Sequence, residues 1–242
     1  MNMNTWKNNN ILERIKESYF LEDTDRGEVS ESLADVKPVG GTIFYIDDTA
    51  DGKYEFFDID GNLMENVQVG DRPHTYRVVE KGSKDKYYVY HDKAYHRVRW
   101  TYREDHDYVY ELLDTSEDVG SGKTNTEKVM AEDSYITGDS NGYPTIWYQL
   151  QQTRDARIGG CDDWFVPSVD ELDLLRMAIE SGNIKGGMVA GSSYNTSVFN
   201  NKYLWTSSET SSLAARAWDR RGQYWDGLGK YGLFSVLFTR AF

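Results

Sequence analysis

The residues best equipped for chemistry sit together in GGCDDWFVPSVDELDLLR, residues 159–176, where Cys161, Asp162 and Asp163 precede Trp164. A thiol attacks only as thiolate and needs a nearby base or positive charge. No such partner is visible beside Cys161, so it reads as a small packed residue. Two adjacent carboxylates could divide acid and base roles in a hydrolase. A turn stabilised by one hydrogen-bonding Asp accounts for them more simply. VGSGKT at 119–124 approaches a phosphate-binding loop, but the pattern needs Gly where Glu117 stands. DDTADG and DIDGN suggest calcium loops, yet a loop starting at Asp58 would need Gly and Glu where Leu63 and Val69 stand. His74, His91, His96 and His106 have neither metal-ligand spacing nor a cysteine partner. No catalytic constellation, metal site or cofactor site emerges, and the expectation is a protein that is not an enzyme.

The elements that would carry these residues divide the chain. Residues 1–38 read as a tail with a short amphipathic helix (Ile11, Leu12, Ile15, Phe20), suited to oligomer contact or attachment to a larger structure. From Gly40, short β-branched and aromatic runs punctuated by Asp-Gly turns predict hairpins through residue 113. Residues 114–142 are polar and turn-rich and read as a surface excursion. Two helices follow. One starts near Pro144, presents Ile146, Trp147, Leu150 and Ala156, and stops at Gly159-Gly160. The other opens on a Ser168–Glu171 capping box, presents Leu172, Leu175, Met177 and Ile179, and ends at Gly182. Strands resume with KYLWTSSE, ARAWD, GQYWD and FSVLFTRAF. In the last, Phe234, Val236 and Phe238 alternate with Ser235, Leu237 and Thr239. The fold class is α+β, with two helices and antiparallel strands.

Composition narrows the function. The net charge of −13 argues against nucleic-acid binding. It is uneven: residues 213–242 hold Arg216, Arg220, Arg221, Lys230 and Arg240 against Asp219 and Asp226, a balance of +3 that leaves −16 elsewhere. A basic end predicts an acidic or polar ligand. The single cysteine permits no internal disulfide, and no apolar leader or membrane-spanning run is present. Synthesis in the cytoplasm without membrane insertion is expected.

GGCDDWFVPSVDELDLLR, then YLWTSSE, then AW and a terminal RAF resemble the variable proteins of diversity-generating retroelements, in the branch related to the Legionella collagen-like C-terminal domain. The resemblance covers about 39–242. It implies a C-type lectin-like domain, with a β-rich insertion at about 45–115 and a variable region at about 210–242. It further implies a receptor-binding role on a phage tail or cell surface, toward a protein or glycan on a target cell. SSLAARAW is longer than the family's common spacing.

Such systems diversify at adenines, mainly in AAC codons, which implies a division of the last segment. Trp218, Gln223, Trp225 and Lys230 are types that these codons cannot reach and count as frame, with the closing strand that includes Arg240 and Phe242. The ligand-facing set is Thr210, Leu213, Ala215, Arg216, Asp219, Arg220, Arg221, Gly222, Tyr224, Asp226, Gly227, Leu228, Gly229, Tyr231, Gly232 and Leu233. Those residues follow no packing period. Tyr and Arg suit anchoring contacts, and Gly and Asp suit adaptable fit. Two other readings remain: a calcium-dependent lectin, although no Glu-Pro-Asn or Gln-Pro-Asp triplet occurs, and a formylglycine-generating type of enzyme centred on Cys161.

Overall fold

Of the hairpins expected through residue 113, the Asp60-Gly61 turn closes one, between Lys53–Phe57 and Leu63–Met64, whereas Thr42–Ile46 pairs with Tyr87–Tyr90 rather than with its neighbour across Asp51-Gly52. The computed structural model describes residues 35–91, 93–101, 112–132, 143–184, 203–219 and 224–242. The expected helix within 1–38 and most of the expected strand at 107–114 lie outside them.

The strands are β1 (Lys37–Pro38), β2 (Thr42–Ile46), β3 (Lys53–Phe57), β4 (Leu63–Met64), β5 (Thr75–Glu80), β6 (Tyr87–Tyr90), β7 (Tyr95–Val98), β8 (Tyr203–Ser211), β9 (Ala214–Asp219), β10 (Tyr224–Gly229), β11 (Phe234–Val236) and β12 (Thr239–Ala241). They form sheets ordered β1-β5-β3-β4, β10-β9-β8-β11-β7 and β12-β6-β2. All ladders are antiparallel except β11 on β8. With the helices below, the fold is α+β. Within the stretch expected as an insertion, β6 and β7 pair directly with β12 and β11 at the far end of the chain.

The closing segment is not one strand. It breaks at Leu237-Phe238, so that β11 joins the five-stranded sheet and β12 the three-stranded one. Its alternation has a cause: Val236 and Phe238 enter one hydrophobic cluster with Trp100, Trp147 and Trp205. Leu237 enters a second with Phe44, Phe165 and Leu172. Both faces are buried, between two cores. Phe242 then stacks on Tyr76 at 4.1 Å between ring centres, its nitrogen bonds Tyr87 and its carbonyl accepts from the amides of Lys86 and Tyr87.

Three α-helices are present among the described residues rather than the expected two. The additional one, α1 (Ser121–Met130), occupies the stretch read as a surface excursion. Its buried residues Gly122, Asn125, Thr126 and Val129 recur at helical spacing. Three of the four are not hydrophobic, which hid the period. Hydrogen bonds replace apolar contact. Asn125 accepts from the Ser116 amide and donates to the Ser116 carbonyl and the Ser207 hydroxyl. The Thr126 hydroxyl accepts from the Val166 amide.

Helix α2 (Ile146–Asp155) buries Ile146, Trp147 and Leu150 as expected, but its N-cap is Thr145 and Pro144 lies just before it. Helix α3 (Val169–Glu180) has the Ser168–Glu171 capping box, and Gly182 follows it in the left-handed conformation at φ +73°. Its apolar face turns differently from the expectation: Met177 is exposed and Ala178 is buried. No helix among the described residues is long and apolar enough to cross a membrane.

Candidate binding surface

The motifs that carry the family resemblance are structural joints. In GGCDDWF, Asp162 pairs with Arg157, and Asp163 accepts from the Arg240 guanidinium at 2.9 Å. The two carboxylates diverge to different cations, which is incompatible with a shared acid–base pair. Cys161 is buried, its thiol pushed up to about 11 by burial, and its Sγ faces the carbonyls of Pro38 and Gly159. A thiol so placed is protonated near neutrality and packs.

VPSVDEL supplies a buried anion. Glu171, 1% exposed, caps its own helix through the Ser168 amide at 2.8 Å and also accepts from the amides of Gly120 and Gly122 at the N-terminus of α1. The GSGKT sequence therefore does place amides around an oxyanion, and that oxyanion is internal. A Cβ on Gly122 would lie 2.1 Å from a Glu171 carboxylate oxygen, so only glycine admits this contact. Burial pushes the carboxyl up to about 7, although the amides pull it down.

YLWTSSE is buried from Leu204 to Glu209. Its register slips against β9: Trp205 faces Ala217 while Glu209 faces Ala215, so Thr206, Ser207 and Ser208 bulge out of the ladder. Their groups bind the Arg216, Pro167 and Ser116 carbonyls. Glu209 then pairs with Lys230, both side chains fully enclosed, and the Lys230 ammonium lies 4.4 Å from the Trp100 ring centre. The Lys230 carbonyl accepts from the amides of Trp100 and Thr101, and its own amide donates to Leu213. Burial draws the ammonium below its usual range, opposed by Glu209. Sequence reasoning placed Lys230 in the frame but missed Glu209 and Trp100 as its partners. The only signal was Glu209's place in the Ser-Ser-Glu motif.

This frame supports a rim. Leu213 and Tyr231 are exposed at 53% and 55%. Thr210, Arg216, Leu228, Gly229, Gly232 and Leu233 are half-buried. Leu228 packs on the main cluster. A Cβ on Gly229 would lie 2.7 Å from the Tyr231 ring, and one on Gly232 2.7 Å from the Phe234 ring. Ala215 departs from the expectation. It is fully buried in the main cluster between β8 and β10, where no ligand can touch it. Trp218, Arg240 and Phe242, assigned to the frame, are buried. Arg220, Arg221, Gly222 and Gln223 lie outside the described residues. Asp219, Tyr224, Trp225, Asp226 and Gly227 are described by backbone alone, with a one-residue bulge between Trp225 and Leu228.

The +3 balance of the last segment also changes meaning. Arg216 pairs with Glu117, Lys230 with Glu209 and Arg240 with Asp163, each an acid from outside the segment. Those three cations neutralise the body of the fold and add no positive field to a ligand face. Net charge therefore gives no support to an acidic ligand at this surface.

No family model matches the chain, and no curated protein or solved structure matches it.

Proposed function

We propose that the protein is a diversified ligand-binding protein with a C-type lectin-like domain, displaying a variable surface from its last thirty or so residues. Its setting would be a phage tail or a cell surface, its target a protein or glycan on another cell. One observation carries the reading: Trp218 and Lys230, which targeted codons cannot reach, are buried, while Leu213 and Tyr231, which they can, are exposed. Sampling of a contact surface needs this alternation, because exchanged residues must not carry the fold.

The test is a displayed library varied at Leu213, Asp219, Arg220, Arg221, Tyr224, Asp226, Tyr231 and Leu233, with the frame held. Under this reading most clones keep the parental melting temperature and different clones select different ligands. A library that loses folding in most clones, or that selects no ligand, sinks it. The DNA provides an independent check: a near-copy of the 3′ end carrying AAC codons beside a reverse transcriptase gene.

A further inference from the structure

The opposite edge of the same five-stranded sheet holds a feature with no place in that reading. In AYHRVRW, Arg97 lies in β7 and Arg99 just past its end. They converge on Tyr143, which lies just before α2. The Arg97 guanidinium carbon is 4.7 Å from the Tyr143 ring centre and that of Arg99 is 5.7 Å from it. Arg97 also donates to the Tyr143 hydroxyl.

Three details set this pair apart. Arg97 adopts φ +58°, a left-handed conformation that is strained for a residue with a long side chain and that it shares, among the described arginines, only with Arg157. Arg99 Nε is buried with no acceptor. Finally, two like charges share one ring without a carboxylate partner among the described residues. Elsewhere in this acidic chain, Arg77, Arg154, Arg157, Arg176, Arg216 and Arg240 each hold a carboxylate. In a chain where carboxylates outnumber cations, two adjacent guanidiniums with no carboxylate partner among the described residues are an exception.

We propose that Arg97, Arg99 and Tyr143 bind an oxyanion group, a carboxylate or a phosphate, on an external ligand. The guanidinium fork matches either group through two parallel N–H···O bonds. The Tyr143 hydroxyl accepts from Arg97 and keeps its own hydrogen to donate. Lys93, exposed and 4.7 Å from the Tyr95 ring centre, adds positive charge just before the same strand. Because β7 and β10 are the two edges of one sheet, this site stands whether or not the C-terminal surface is variable.

The experiment titrates the full chain with inorganic phosphate and separately with glucuronate, at constant ionic strength with chloride as reference, read by calorimetry. Saturable binding of at least one probe is expected, and which one binds identifies the source. Arg99→Gln should weaken it about tenfold or more, and Tyr143→Phe several-fold. Arg97→Gln, at an exposed side chain, serves if Arg99→Gln does not fold. A Lys53→Gln control, at an unrelated surface pair, should bind as the parent does. Absence of saturable binding by both probes, or binding that survives Arg97→Gln and Arg99→Gln unchanged, overturns the proposal.

Discussion

Glu209 and Glu171 are both enclosed glutamates, and the fold neutralises them in different ways. Glu209 meets a full counter-charge in Lys230 and a second donor in the Leu113 amide at 2.9 Å. Glu171 meets only dipoles: the Ser168, Gly120 and Gly122 amides at two helix N-termini. A buried pair fixes one geometry and punishes loss of either member. A buried acid held by dipoles keeps the option of protonation, which is why burial moves Glu171 up to about 7. The first device pins the C-terminal segment to β8. The second docks α1 on α3.

The largest effect should come from splitting the pair. Lys230→Met leaves Glu209 as an uncompensated buried charge and should cost about 3–5 kcal/mol by chemical denaturation. Adding Glu209→Leu to that variant should recover most of the loss. If the double variant is no better than the single, the Glu209–Lys230 contact is not the pin described here.

Glu171→Ala should follow, at about 2–3 kcal/mol, because it strips three amides of their acceptor. Loss of α1 protection in hydrogen exchange, with α3 retained, would locate the damage.

Glu171 also carries a pH signature. The Glu171 carboxyl is higher in the folded state than its ordinary value, so its contribution is fully present below about pH 4.5. It is lost as pH rises through about 7. His91, drawn down chiefly by burial, works in the opposite sense, because its neutral form is favoured in the fold. The difference between the parent and Glu171→Gln, followed from pH 5 to 8, therefore isolates the glutamate. A constant difference across that range would contradict the assignment.

Outside both devices effects should be small. Arg216→Ala removes a half-exposed pair with Glu117 and should cost less than about 1 kcal/mol. Tyr231→Ala and Leu213→Ala, on the rim, should stay within about 0.5 kcal/mol. A large loss at Tyr231, next to Lys230 in sequence, would erase the distinction between frame and rim.

Much of this arrangement was legible in local signals. The α3 capping box and the glycine after that helix arise from interactions within a few residues, and the apolar stripe of α2 and the alternation of the closing segment leave a period that sequence spacing records, although their partners are distant. Helix α1 was not legible, because Asn125 and Thr126 dock by hydrogen bonds and leave no apolar period. The frame role of Lys230 followed from residue type, whereas the burial of Ala215 did not, since alanine suits either a surface or a core.

By itself the sequence determined the α+β class, the strand-rich character of the first half and two of the helices, but not which strands pair there. Only the tertiary structure decided which acid meets which base. Glu209 and Lys230, Asp163 and Arg240, and Glu171 and the α1 amides are 21, 77 and about 50 residues apart in the chain. Charge count says how many partners exist, but choice among them depends on the register of β8 against β9 and the break at Leu237-Phe238. Those are set by packing on two cores at once, and no window of the sequence contains both.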